Sequence, residues 1–459
     1  MGHAMTFEQA KQVLEVNGQG RVLRFWERLD ERGRAALLDQ IEGLDWASLA
    51  RMKSLLKAKA AAVTAVSEPV APEVVELTPE ARIAAYAVGE TELRAGKVAV
   101  LVVAGGQGSR LGYEGPKGAY SIGPVSGRSL FYFHARKIVA LGRRYGVRIP
   151  FYIMTSDAND AATRAHFEEH GFFGLDRNDV RFFMQGMWPA LDEEGQIILD
   201  QPGHIFMGPD GHGGTLTALA KNGCLADMER RGINSVFYFQ VDNPLIEIAD
   251  PAFIGVHVSR QADISLKLCA KRDPREGLGV VVQRDGRYEM VEYTELSDEQ
   301  SHRRTASGDL YFKYGSVAIH VFSFAFMKTE AGKPMPLHIA HKKIPVCADD
   351  GSVVKPEKNN GFKFEKFIFD VLPDATTVVN LAFDRAEEFS PVKNAAGNDS
   401  PATCKHDMQA KWLRWFKTAG VQVPLDDSGE PVLPVEIDPV YALDVTDLKK
   451  RGVLLNDEG

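Results

Sequence analysis

Residues 98–117 read VAVLVVAGGQGSRLGYEGPK. Val98 to Ala104 is an almost unbroken apolar run, the pattern of a strand buried on both faces of a parallel sheet. It stops at Gly105 and Gly106, and further glycines at 108 and 112 let the backbone turn sharply and approach a ligand closely. Arg110 and Lys117 place two cations on the same loop. Strand, glycine-rich turn and fixed positive charge together suit a nucleoside triphosphate, whose phosphates need backbone N–H donors and cations. Two other phosphate loops are excluded. A dinucleotide fingerprint G-x-G-x-x-G counted from Gly106 and Gly108 meets Leu111 at its third glycine. A P-loop needs Lys followed by Ser or Thr, whereas Lys117 lies between Pro116 and Gly118.

Outward from this loop, strand and helix patterns alternate. Ser129–Leu141 is amphipathic. Ile149–Met154 reads as a second core strand, followed by Thr155-Ser-Asp-Ala-Asn159, which suits a helix cap. Val180–Met184 and Val236–Val241 read as further strands, with a helical stretch over Thr215–Arg231 between them. The alternation predicts a Rossmann-like, doubly wound α/β sheet with ligands at the strand C-termini. Gly105, Gln185 and Asp242 each follow such a strand.

From 264 to 325 the pattern turns to strands, with Arg284-Asp-Gly-Arg287 as a hairpin turn, which predicts a mixed sub-sheet over the site. Lys355, Lys358, Lys363 and Lys366 interleave with Phe362, Phe364, Phe367 and Phe369, an arrangement that favours an ordered site over a solvated charged face. Residues 6 to about 64 and 79–95 have helical periodicity, with a proline-bearing linker near 66–78. The expected sections are 1–95 (helical), 96–385 (catalytic) and 386–459 (a small C-terminal section with a helix holding Trp412 and Trp415).

The 459 residues suffice for more than one domain, and 44% hydrophobic with 25% charged residues is ordinary for a globular protein. A net charge of −8 and a pI near 5.9 argue against a general nucleic-acid or anionic-membrane binder. Cys224, Cys269, Cys347 and Cys404 are scattered and read as buried thiols of a reducing compartment. No apolar run approaches the ~18 residues of a membrane span. A cytoplasmic protein is expected.

The motif A-G-G-x-G-x-R-x-G-x-x-x-P-K resembles the signature loop of sugar-nucleotide pyrophosphorylases. FFMQGMWPAL, GPDGHGGTLTAL, FQVDNPL, KPEKNNGFKFEKFIFD and EFSPVKNA extend the resemblance over most of residues 80–395. Over that span the sequence is similar to eukaryotic-type UDP-N-acetylhexosamine pyrophosphorylases, which are related to UDP-sugar pyrophosphorylases. The reaction implied is UTP plus an N-acetylhexosamine 1-phosphate giving UDP-sugar and pyrophosphate. It needs positioning and charge stabilisation and no covalent enzyme intermediate.

The resemblance also implies roles. Arg110 and Lys117 hold the β- and γ-phosphates, and Lys363 and Lys393 meet the phosphates of nucleotide and product. Val103, Ala104, Gly105 and Gly106, with Gln185, Met187 and Gly211, hold the uridine; the Gln185 amide offers a donor and an acceptor to the uracil edge. Glu292 binds sugar hydroxyls, while Asn360 and Gly361 shape the loop before Lys363. Asp242 is the candidate ligand for Mg²⁺, or Mn²⁺, because such ions take one or two carboxylates plus phosphate oxygens and water.

Two positions depart from the family pattern. Ser316 stands where the family has an asparagine that helps bind the sugar, and His212 where it commonly has asparagine beside the nucleotide. The alternative within enzymes is a UTP-dependent pyrophosphorylase for another sugar 1-phosphate, such as glucose or galactose. A silent nucleotide-sugar sensor would not need Arg110, Lys117, Asp242, Lys363 and Lys393 together.

Overall fold

The apolar run forms β1, Val98–Val103, in the interior of a seven-stranded sheet. The computed structural model describes residues 5–58 and 67–451. The other strands are β2 (Phe151–Thr155), β3 (Val180–Met184), β4 (Ser235–Gln240), β5 (Ile264–Ala270), β6 (Tyr314–Ser323) and β7 (Val378–Phe383), in the order β7-β5-β6-β4-β1-β2-β3. Every neighbouring pair is parallel except those of β6, which runs antiparallel to β4 and β5. The chain is thus mixed α/β with a central sheet that is mainly parallel. Val98, Ala99, Val100, Leu101 and Val102 are at most 2% exposed, as expected of a strand covered on both faces.

Strand order decides where a ligand can lie. From β1 the chain moves outward through β2 and β3, then returns to place β4 on the other side of β1. The connections leaving β1 and β4 therefore diverge, and the region beyond their C-terminal ends is where sheets of this kind take ligands. The loop at Gly105 and Asp242 both start there.

Three expectations need correction. The stretch Thr215–Arg231 is two helices, Gly214–Lys221 and Cys224–Arg230, parted at Gly223, whose φ of +69° ends the helical run. The strands after 264 are not one sub-sheet: β5 and β6 complete the central sheet, and only Val280–Arg284 with Arg287–Val291 forms the separate hairpin expected around Asp285-Gly286. Residues from 67 to 78 are also more than a spacer, since Val70 bridges Gln283 and Val75 bridges Leu381. The part of the N-terminal helical pattern at 59–64 lies outside the described residues.

Among the described residues the chain forms two units, neither continuous in sequence. One comprises Met1–Ser67, Gln185–Thr215 and Pro334–Asp370; the other comprises Glu68–Met184, Leu216–Lys333 and Val371–Gly459. This partition differs from the consecutive sections 1–95, 96–385 and 386–459, and the packing of the first unit shows why. Its helices Phe7–Val16, Glu31–Glu42 and Trp46–Ala58 bury Leu14, Leu37, Ile41 and Met52 in one cluster with Trp188, Leu191, Leu199, Ile205 and Phe364. The four cysteines are free and buried. Among the described residues no helix is long and apolar enough to cross a membrane.

Candidate functional site

After β1 the chain folds back on itself: Gly108 N–H donates to Gly115 C=O (2.9 Å) and Lys117 N–H to Gly106 C=O (3.0 Å). The carbonyls of the turn are pinned from the loop after β2. Asn159 Nδ2 donates to Ala104 C=O (2.9 Å) and Gly106 C=O (3.2 Å), and Ser156 Oγ donates to Gly105 C=O (2.8 Å). With those carbonyls held inward, the Gly105 and Gly106 N–H groups are left without a partner among the described residues. Such a pair of amides can meet an anion or a uracil carbonyl. In sequence, Ser156 and Asn159 suggest only a helix cap. Asn159 does occupy the N-cap of helix Asp160–Glu169 but makes no side-chain cap bond, its amide being spent on the glycine loop. Its burial at 1% exposure marks it as part of the site's frame.

The same fold-back brings Lys117 to Asp242 across 125 positions, with Nζ 2.9 Å from Oδ2. Asp242 is 8% exposed. Burial alone would push its pKa up, but Lys117 and Lys393 outweigh burial and hold the carboxyl below its ordinary value. Three residues singled out in sequence therefore meet at one charged centre. Lys393 sits on irregular chain whose Val392 N–H donates to Asp242 C=O (2.9 Å). Arg110 lies exposed on the loop and makes no ion pair among the described residues. Val103 closes β1, and Ala104 N–H is bonded to Met154 C=O (2.8 Å).

Glu292 and Ser316 are placed by β6 and by the hairpin of Val280–Arg284 with Arg287–Val291. Glu292 follows the strand Arg287–Val291, its N–H bonded to Glu295 Oε2 (3.0 Å). Ser316 lies where β6 bulges against β5, with the next-but-one residue Ala318 at φ +58°. The bulge is anchored by Ser316 N–H to Gly279 C=O (2.8 Å).

The remaining candidates belong to the other unit. Met187 starts a short strand, Met187–Pro189, paired antiparallel to Met207–Pro209, and Gln185 precedes it. Asp210 N–H closes onto Gly186 C=O (3.0 Å), and Lys366 N–H onto Asp210 C=O (2.8 Å). Gly211 is required here: φ is +83°, and a Cβ would stand 2.4 Å from Lys366 C=O. His212 accepts the Ile368 N–H at Nδ1 (3.1 Å) and stacks on Phe367 (5.3 Å). Burial pulls its pKa down to about 4, so it is neutral with its proton on Nε2. Lys363 lies on the strand Gly361–Glu365, its Nζ 4.7 Å from the Phe206 ring centroid. Burial, with Lys342 adding to it, lowers its pKa. Asn360 uses its amide on both backbone groups of Ile344 (2.8 and 2.9 Å), which is how it fixes the approach to Gly361 and Lys363.

The chain that builds this charged centre at the end of a mainly parallel sheet has relatives. Residues 51–399 match the family model described as UTP–glucose-1-phosphate uridylyltransferase, and the chain belongs to that family. Within it, the chain is 39% identical over 453 residues to UDP-N-acetylhexosamine pyrophosphorylase-like protein 1 of Xenopus tropicalis, covering 94% of this chain and 88% of that one. It is 34% identical over 440 residues to UDP-N-acetylglucosamine pyrophosphorylase of Saccharomyces cerevisiae, covering 90% and 92%. Among solved structures it superposes on the uridine diphosphate N-acetylglucosamine pyrophosphorylase of Trypanosoma brucei, crystallised with an inhibitor, at a TM-score of 0.85 and 28% identity, covering 98% and 95%.

Proposed function

We propose that this chain transfers a uridylyl group from UTP to an N-acetylhexosamine 1-phosphate, forming UDP-N-acetylglucosamine or UDP-N-acetylgalactosamine and pyrophosphate. The observation that carries this reading is the Lys117–Asp242 pair, with Lys393 acting on the same carboxylate, beside the unpartnered amides of Gly105 and Gly106. A sugar-phosphate oxygen attacks the α-phosphorus; the bond from that phosphorus to the bridging oxygen breaks, and pyrophosphate leaves with the electron pair. Lys117, Lys393 and Arg110 would offset charge building on the leaving group. Ala104, Gly105, Gly106 and Val103 would present backbone to the uridine, and the resemblance gives Gln185, Met187, Gly211, His212 and Lys363 nucleotide roles and Glu292 and Ser316 roles around the sugar, with Asn360 and Gly361 shaping the loop before Lys363. The strand-order reversal at β1 and β4 supports reading the sheet as a doubly wound, Rossmann-like nucleotidyltransferase fold.

Asp242 fits Mg²⁺ or Mn²⁺ as a single hard ligand, because its neighbours keep it ionised. Among the described residues it is not part of a group of three ligating side chains, so phosphate oxygens and water would complete the shell. Such an ion, when bound, neutralises triphosphate charge.

Pyrophosphate release from UTP, measured with N-acetylglucosamine, N-acetylgalactosamine, glucose and galactose 1-phosphates, with and without chelator, tests the reading. An acetamido sugar should give the highest kcat/KM, and chelator should abolish turnover. Preference for glucose 1-phosphate would replace the reading with the alternative that Ser316, a shorter side chain than asparagine, keeps open.

A further inference from the structure

Lys393 faces a difficulty of placement. It lies on 389–393, a stretch with no regular secondary structure, yet it acts on a carboxylate at the end of β4. Among the described residues no strand ladder holds this stretch against residues 242–246, and side-chain bonds do most of that work. Asn243, next to Asp242 and 4% exposed, donates from Nδ2 to Glu388 C=O (2.6 Å) and accepts Ser390 N–H at Oδ1 (3.1 Å). A primary amide offers a donor and an acceptor side by side, and here it takes the place a neighbouring strand's peptide group would fill. Lys411, on the helix Pro401–Thr418 and 7% exposed, spans the same two segments: Nζ donates to Glu387 C=O (2.5 Å) and Leu245 C=O (3.4 Å). The backbone bond from Val392 N–H to Asp242 C=O completes the stitch. Lys137 fastens the 242–246 side, with Nζ donating to Pro244 C=O (2.5 Å) and Ile246 C=O (2.8 Å).

We infer that Asn243 and Lys411 are positioning residues, which hold 387–392 against 242–245 so that Lys393 faces Asp242. Neither needs to touch substrate. Their chemistry suits framing: the hydrogen bonds of both side chains go to backbone carbonyls or amides, and Lys411 Nζ also stands 3.8 Å from Glu247 Oε1. The helix Pro401–Thr418 thereby gains a part in the reaction, because Lys411 brings it to the segment that carries Lys393. This inference rests on Asp242 and Lys393 serving the phosphates in the reaction proposed above.

The test is steady-state kinetics on wild type, Lys393→Ala, Asn243→Ala, Lys411→Met and each of the latter two combined with Lys393→Ala, with thermal midpoints measured alongside. A lysine displaced by about an ångström should lower kcat about 10–10²-fold. KM for UTP should change much less. On the Lys393→Ala background the same substitutions should cost less than about threefold further, because the group they position is gone. A purely structural role would lower the thermal midpoint and multiply fully with Lys393→Ala. If Asn243→Ala does not fold, Lys411→Met alone decides. Wild type without uridylyl transfer sinks the proposed function and this inference with it. An active wild type with unimpaired Lys393→Ala overturns the role of Lys393. An impaired Lys393→Ala beside fully active Asn243→Ala and Lys411→Met, or losses that multiply in full, overturns the positioning role while leaving the proposed function standing.

Discussion

An ionised carboxylate as buried as Asp242 persists because Lys117 and Lys393 face it. Lys117→Ala should therefore do two things. Turnover should fall ~10²–10³-fold, the usual cost of losing one preorganised charge contact, about 2.7–4 kcal/mol. Stability should also fall, by about 1–3 kcal/mol, because a buried acceptor loses its donor. The double variant Lys117→Met/Asp242→Asn separates the two: its thermal midpoint should recover and its turnover should not. Recovery of both would make the pair a structural one. His212 gives a pH signature of its own. Its folded pKa of about 4 lies below the ordinary ~6.5 of the unfolded chain, so the unfolded state takes up the proton first. Its contribution to stability is complete above about pH 6.5 and is lost as pH falls toward 4. Urea unfolding of wild type at about pH 4.5 and 7.5 should show a drop that His212→Asn reduces by about 2–3 kcal/mol; an unchanged difference would mean that His212 is not held neutral by its burial.

Among the elements, one lysine joins three. Lys267 on β5 is 1% exposed; its Nζ meets Asp250, the N-cap of helix Pro251–Ser259, at 2.9 Å. It also meets both carboxylate oxygens of Glu388, at the end of helix Arg385–Glu388, at 2.6 Å. Burial, aided by the nearby Glu247 and Asp250, raises Glu388 despite Lys267, so the ammonium is what makes this grouping of acids tolerable. Lys267→Met should cost about 3–5 kcal/mol in urea unfolding by stranding buried charge, and adding Asp250→Asn with Glu388→Gln should recover most of it. A loss below about 1 kcal/mol would show that the acids neutralise themselves without help. Nothing in the alternation of sequence pattern announces this knot, since Lys267 sits among Ile, Leu and Cys as an interruption of a strand. By contrast β1, β2, β3 and the Asp285-Gly286 hairpin were legible, because apolar runs and a turn pair are local signals. The break at Gly223 was missed because a single glycine does not interrupt helical periodicity.

At the scale of the molecule, what could be read was whatever is contiguous. The glycine loop, its cations and Asp242 each stand in short motifs, and the structure joins Lys117 to Asp242. The frame around them could not be read. Ser156, Asn159, Asn243 and Lys411 work through backbone carbonyls and amides across the fold, and their residue types alone look like caps or surface charge. The interleaving of the two units was equally hidden, since helical periodicity shows that a face is buried but not which later segment buries it. That delay has a consequence during synthesis. Leu14, Leu37 and Ile41 find their partners in Leu191, Leu199 and Phe364. At ribosomal rates of about 5–20 residues per second, those partners follow on the order of ten seconds to a minute later. Those helices of the nascent chain thus wait with their apolar stripes uncovered until the last of that unit emerges, and substitutions on those stripes should show first in the yield of soluble protein.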